Sequence, residues 1–507
     1  MDTLSSIFLC LIFAWICIQL LQYSLAGIRR NDISRKLLPP GPKPFPLIGN
    51  LFELGDKPHL SLTKLSQRYG PIISLQLGQL TTVVVSSSSL AKQILQNHDR
   101  IFCNRTVPDG IRGSCNHSQY GLPWLPVSPK WRNLRKISNS YLFAAKVLDA
   151  NKANRQVKVQ QLIDDVCESM SKGEAVDVGR AAFATTMNLL SGTIFSVDLA
   201  DHPSSDAARK FKDNFAGIME NVGKPNLVDY FPLLRKLDPQ GIKRHLTKYF
   251  RETVVFFNGM IDQRLESRKR HQYVTSCDML DILLNISEEG NEDMDETQVK
   301  HLLLDLFVAG TDTTSVTLEW AMVELLRNPE VMLKAQAELE EVIGKGKLVE
   351  ESVIVHLPYL QAILKETFRL HPAVPLLLPR RAESDVEIGG YIVPKGAQVL
   401  VNVWAIGRDP GTWDNPSHFK PERFLGLENE IDVMGRNFEL IPFGGGRRIC
   451  PGLPLATRML QLMLGSLINC FDWKLEDGVV PETMNMEEKF GLTLQIAHPL
   501  RAVPNKS

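Results

Sequence analysis

The chain has 507 residues, 57 basic and 57 acidic side chains, and a 44% hydrophobic composition. The balanced charge argues against a strongly basic nucleic-acid binder, and the apolar content is enough to bury a large core. The eight cysteines (10, 17, 103, 115, 167, 277, 450 and 470) show no paired spacing and no CxxC. That pattern fits a reducing, cytosol-facing environment better than a disulfide framework or a zinc site.

Residues 3–28 contain no charged side chain, a run long enough to cross a bilayer core of about 30 Å as a helix. The apolar stretch is long and has no basic n-region, which separates it from a cleaved signal peptide. Arg29, Arg30, Arg35 and Lys36 follow at once, so the positive-inside rule keeps the remainder in the cytosol. Residues 1–28 are read as a transmembrane signal anchor with a lumenal N-terminus. The glycosylation sequons at Asn104, Asn116 and Asn285 then stay bare. Residues 29–50 include Leu38-Pro-Pro-Gly-Pro-Lys-Pro-Phe-Pro-Leu-Ile-Gly49, a stiff segment that cannot continue a helix.

Ile72-Ile-Ser-Leu-Gln-Leu and Thr81-Thr-Val-Val-Val flank Gly78 and predict a β-hairpin. Residues 103–129, rich in Gly, Pro, Asn and Ser, predict a long loop, which in a compact domain tends to be functional. Trp131-Arg-Asn-Leu-Arg135 opens a helix with Trp131 and Arg135 on one face. Residues 150–290 alternate at helical spacing without a chemical motif, and residues 226–238 break two helices there. The runs Arg268-Lys-Arg-His271 and 288–296 read as solvated connections.

Residues 301–327 predict one long helix containing Ala309-Gly-Thr-Asp-Thr-Thr314. A glycine and three threonines oppose helix propensity there, which predicts a functional distortion. Asn328-Pro329 starts another helix. Further on, Glu366-Thr-Phe-Arg369 sets acid and base side by side at i,i+3 spacing. Residues 386–393 and 398–403 predict strands of a common sheet, and Gly491-Leu-Thr-Leu494 a terminal hairpin turn.

Phe443-Gly-Gly-Gly-Arg-Arg-Ile-Cys450-Pro-Gly452 is the most informative stretch. Its glycines allow close backbone approach to a planar ligand. Cys450 precedes an apolar helical run, so free amides and the helix dipole would favour its thiolate. A thiolate among N–H donors can serve as an axial haem ligand, and Arg448 can pair with a haem propionate. A phosphate-binding loop would need Lys-Ser/Thr after its glycines.

The pattern Phe-x-x-Gly-x-Arg-x-Cys-x-Gly resembles the haem-binding signature of the cytochrome P-450 family. Supporting matches are Trp131-x-x-x-Arg135, Ala309-Gly-x-Asp-Thr-Thr, Glu366-x-x-Arg369 and Phe419-Lys-Pro-Glu-Arg423-Phe. The resemblance implies a mainly α fold with small β-sheets behind one transmembrane helix. Length alone would suggest about three domains, but motifs spread from Trp131 to Cys450 must converge on one cofactor, so residues 51–507 form a single catalytic domain. Residues 29–50 become its hinge against the membrane.

By the same resemblance the cofactor is heme b, with Cys450 ligating iron and O2 reduced by NADPH-derived electrons from a membrane-bound cytochrome P-450 reductase. Arg448, Trp131, Arg135 and Arg380 become propionate partners, with Phe443, Ala309 and Gly310 also against the haem. Thr313 and Asp312 handle dioxygen and its protons, with room made at Ala309-Gly310. Glu366, Arg369 and Arg423 form a structural network. Arg132, Lys136 and Arg447 are candidate reductase contacts. Substrate-pocket candidates are Asp305, Leu306, Val374, Leu376 and Leu492, mostly apolar.

The hinge, Ala309-Gly-Thr-Asp-Thr-Thr314 and Phe443-Gly-Gly-Gly-Arg-Arg-Ile-Cys450 together resemble plant class A enzymes, and Phe490-Gly-Leu-Thr-Leu-Gln with Ala497-His-Pro-Leu500 is similar to the geraniol 8-hydroxylase group. That similarity implies an endoplasmic reticulum monooxygenase acting on a small apolar terpenoid, with a diterpene or alkaloid precursor as the alternative substrate. Two rivals belong to other classes. A haem-thiolate isomerase usually lacks the distal threonine that Thr313 supplies, and a non-enzymatic haem sensor has no use for the Asp312-Thr313 pair.

Overall fold

The computed structural model describes residues 37–199, 206–270, 278–290, 294–426, 431–476 and 478–506, with positions 14, 15 and 18. The predicted anchor therefore lies outside the described residues, apart from those three positions. Among the described residues no helix is long and apolar enough to cross a membrane.

Helices dominate and small sheets sit at the margins. The strands are β1 (Ile72–Leu77), β2 (Leu80–Val85), β3 (Asn104–Arg105), β4 (Val176–Asp177), β5 (Arg380–Arg381) and β6 (Val386–Ile388). They continue with β7 (Tyr391–Val393), β8 (Gln398–Val401), β9 (Phe471–Leu475), β10 (Glu488–Lys489), β11 (Gln495–Ile496) and β12 (Arg501–Lys506). The largest sheet has the order β1-β2-β8-β5-β3. Its β1–β2 hairpin turns at Gly78, whose φ of +57° suits glycine. β8 joins β2 in parallel and lies antiparallel to β5.

The helix Glu296–Arg327 is the centre of the domain and is buried along most of its length. It packs on the helices Val178–Phe195, Ile242–Arg268, Pro358–Leu370 and Leu453–Cys470. Phe307 from this helix meets Phe195, Phe211 and Phe257 with ring centroids 5.5–5.8 Å apart. Such large apolar contacts hold helices of weak individual propensity together.

Several sequence expectations need correction. Residues 386–393 are not one strand: Gly389 and Gly390, both at positive φ, turn them into the β6–β7 hairpin, which forms a separate sheet from β8. The 103–129 segment holds β3 and a short helix, Asp109–Gly113, rather than loop alone. Arg268 is not simply solvated, since it donates to Asp281 at 2.8 Å and Glu288 at 3.2 Å. The central helix also runs as uninterrupted α-helix through Ala309-Gly310. There the hydroxyls of Thr313, Ser315 and Thr317 bond carbonyls one turn back, while the buried Thr311 hydroxyl has no partner among the described residues.

The proline-rich segment is docked on the sheet. Ser74 N–H donates to Pro40 O at 2.9 Å, and Asn50 N–H to Gln76 O at 2.6 Å. A side chain at Gly41 would meet the Ser74 carbonyl at 2.1 Å, which explains the glycine.

Glu366 is fully buried beside Arg369, whose guanidinium reaches both carboxylate oxygens at 2.7 Å. Arg423 Nε at 3.1 Å and Lys420 N–H at 2.7 Å complete its shell. Arg369 also donates to the carbonyls of Gly407, Pro416 and His418, tying the Pro358–Leu370 helix to the segment leading toward Cys450. Removing the carboxylate leaves two guanidiniums without their counter-charge, at a cost of about 3–5 kcal/mol. Glu366→Ala is expected to lower the thermal unfolding midpoint by several degrees. An unchanged midpoint would show that the network carries no stability.

Candidate active site

Cys450 lies three residues before Leu453, the first residue of the helix Leu453–Cys470. Its N–H donates to Phe443 O at 3.0 Å, closing the glycine loop back on itself. Gly446 has a φ of +65°, and a Cβ there would sit 2.0 Å from the Leu95 carbonyl. No L side chain fits that approach. Phe443 packs edge-on against Phe368 at 5.2 Å, fixing the loop to the Glu366 helix.

The sulfur accepts from the backbone amides of Gly452 and Leu453, and Arg135 adds positive charge nearby. Burial outweighs these effects and pushes the thiol above its ordinary range. The expectation that the helix start alone would favour thiolate is thus corrected. A coordinated metal reverses the balance, because a coordinating thiol is deprotonated outright.

Four arginines gather beside this loop. Burial, then Arg380 and Arg448, lower the Arg105 pKa well below its usual value. Arg380 and Arg448 are each brought down to about 10, chiefly by burial, with Arg380 and Arg135 adding repulsion at Arg448. Arg135 is lowered by burial against the attraction of Cys450. Among the described residues none of the four makes an ion pair with a carboxylate, and the buried Nε of Arg105 has no hydrogen-bond partner.

Buried positive charge of this kind calls for an external anion. A single cysteine sulfur among amide donors, a glycine loop and unmatched guanidiniums fit haem b with its two propionates. Arg105 was not singled out from sequence. Its signal there is slight, a lone arginine in the otherwise uncharged stretch 101–108.

The remaining expected contacts are placed as follows. Arg448 spends its guanidinium hydrogens on carbonyls of the preceding loop: Cys103 at 2.8 Å, Leu122 at 3.1 Å, Pro123 at 3.4 Å, and Leu125. Trp131 donates its indole N–H to the same Leu122 carbonyl at 3.2 Å and carries Arg448 over its ring at 4.5 Å. Arg380 donates to Phe102 O and Gly445 O at 3.1 and 3.2 Å.

On the central helix Ala309 is exposed although its neighbours along the helix are largely buried, and Thr313 one turn on is only partly covered. That face is left uncovered by protein atoms. At Gly310 the position of an added Cβ lies 2.9 Å from Leu190, so this glycine serves helix packing. Asp312 turns instead to the hairpin formed by β10 and β11. Thr493 Oγ1 donates to one of its oxygens, and Gln495 Nε2 to the other at 3.3 Å.

Asp305 is not a free pocket carboxylate. It accepts from His117 Nε2 at 3.0 Å and from Leu122 N–H at 2.7 Å, and His117 Nδ1 lies 2.8 Å from His301 Nδ1. Burial first, then His117 and Lys130, push His301 down to about 4, so it is neutral at physiological pH. Leu306 is buried, while Val374, Leu376 and Leu492 are partly exposed. Leu494 N–H donates to Ala373 O at 2.9 Å, which brings the 373–376 segment against the hairpin that carries Leu492.

This site and fold define a haem-thiolate protein. The chain belongs to the cytochrome P450 family, whose sequence profile matches residues 39–499. It is a monooxygenase, an oxidoreductase that uses haem, O2 and electrons from a redox partner. Among curated relatives it is 58% identical to geraniol 8-hydroxylase of Swertia mussotii over 475 residues, 93% of this chain and 95% of that protein. The geraniol 8-hydroxylase of Catharanthus roseus is 57% identical over 470 residues, 93% of this chain and 94% of that protein. Drimenol monooxygenase of Persicaria hydropiper is 51% identical over 471 residues, 93% of each chain.

Gly446→Ala is expected to yield protein with little bound haem, because the obstruction is backbone and cannot rotate away. Haem absorbance per polypeptide checks this. Cys450→Ala should lose the carbon monoxide difference band that gives the family its name, and retention of that band would remove Cys450 as the ligand.

Proposed function

We propose that this chain hydroxylates an acyclic monoterpene alcohol of the geraniol kind, from the cytosolic face of the endoplasmic reticulum, with electrons from a membrane-bound NADPH reductase. The observation that carries this reading is the 57–58% identity, across nearly the whole chain, to two geraniol 8-hydroxylases. The pocket candidates Leu306, Val374, Leu376 and Leu492 support it, since an apolar lining suits a hydrocarbon chain.

Haem, when bound, supplies the activation of dioxygen, and its cysteine ligand donates electron density that favours O–O cleavage. The chain's own residues have separate tasks. Cys450 would hold the iron, and Arg105, Arg135, Arg380 and Arg448 would hold the propionate side. Thr313 supplies a hydroxyl on the open face of the central helix, while Asp312 brings protons to it. The apolar wall positions one carbon and excludes water.

Microsomes containing this chain and a plant reductase are expected to convert geraniol to a single hydroxylated product. Drimenol, a sesquiterpene alcohol, serves as the competing substrate. Preference for drimenol would replace the monoterpenol assignment, and no product from either would overturn the terpenoid reading. Thr313→Ala should keep haem but lower product formed per NADPH by about tenfold or more.

Arg132 and Lys136, exposed one turn apart on the helix Pro129–Ile137, form the proposed docking face for the reductase. Arg447 is a weaker contributor, because it already binds Asp99 at 2.8 Å. Raising salt is expected to slow first-electron transfer. A salt-independent rate would remove these residues from the docking face.

A further inference from the structure

The β10–β11 hairpin is fastened at its base and again beyond its tip. At the base Glu488 accepts from His59 at 2.7 Å and from Trp404 Nε1 at 2.9 Å. Beyond the tip, Leu494 O accepts from Trp320 Nε1 of the central helix at 2.9 Å. Between these ties stands Leu492, and the helix Asp206–Gly223 ends against it, with a Cβ at Gly223 falling 2.5 Å from Leu492 N.

Both oxygens of Asp312 are taken by this hairpin, through Thr493 and Gln495. The Thr313 hydroxyl is turned to the Ala309 carbonyl at 2.7 Å. Asp312 therefore rests away from the hydroxyl it is meant to supply. Burial raises its pKa, while the donors Thr493 and Gln495 act in the opposite sense. From the same helix Glu319 feels its charge, and from the hairpin the facing groups are the neutral Thr493 and Gln495.

We propose that Thr493 and Gln495 are positioning residues that hold Asp312 on the hairpin until substrate displaces the tip at Leu492, so that proton supply is gated by substrate contact. Losing two donors makes the carboxylate a stronger base. It takes one proton from the solvent side and, as the neutral acid, turns toward Thr313 and passes that proton to the Thr313 hydroxyl oxygen, which releases its own proton on the uncovered side of the helix. Only O–H bonds are made and broken, and no electrons move. The inference rests on the Asp312-Thr313 reading of the preceding subsection.

The test uses full-length holoenzyme in lipid nanodiscs with reductase, and compares Thr493→Val, Thr493→Ser, Gln495→Leu and Asp312→Asn. Hydrogen exchange of residues 488–496, read without turnover, is expected to quicken about tenfold or more in Thr493→Val, since a hydrogen bond to an ionised acceptor is lost. Peroxide released per NADPH should rise with it. The alkaline limb of product yield should move to higher pH, because Asp312 acts as the neutral acid and holds its proton to higher pH without the donor.

Thr493→Ser should restore all three, with haem content confirming folding. Wild-type exchange and wild-type peroxide yield in both Thr493→Val and Gln495→Leu would overturn the gate, as would a Thr493→Ser variant behaving like valine. If Asp312→Asn alone raises peroxide, the relay stands and the gate falls. If Asp312→Asn leaves coupling unchanged, the relay reading itself is overturned and takes the gate with it.

Discussion

Buried positive charge that the protein does not neutralise is the constraint on which this structure turns. Guanidiniums at 105, 135, 380 and 448 crowd together beside the Cys450 loop, and burial depresses the proton affinity of all four, with repulsion from neighbouring arginines added at 105 and 448. A chain that kept such a cluster without an external anion would carry several kcal/mol of unfavourable energy. The cluster is therefore a specification for an acidic ligand, beside the one cysteine sulfur of the glycine loop.

The Glu366 network serves that specification from behind. It locks the Pro358–Leu370 helix against the segment at 407–423, and Phe368 on that helix touches Phe443. Rigid support of this kind keeps a ligand site within its working geometry.

What the sequence made legible was local. The Cys450 loop, the β1–β2 turn at Gly78 and the Glu366–Arg369 pair all lie within a few residues of themselves, so spacing alone carries them. The pairs it hid are long-range. Asp305 meets His117 across 188 positions, and Asp312 meets Thr493 across 181, with no periodicity linking the partners. The β6–β7 turn was missed because two adjacent glycines were read as part of a strand. Gly310 shows a subtler failure: the motif marks it correctly as special, yet the space it saves is filled by Leu190.

Arg448 joins two regions that a linear description keeps apart. Its hydrogens order the carbonyls of residues 103–125, while its charge awaits the cofactor's carboxylates. Maturation therefore has a direction: until an anion arrives, the residue that organises residues 103–125 is itself electrostatically unsettled. The final order of that segment is in this sense a late property of the polypeptide, acquired with its pigment rather than at first collapse.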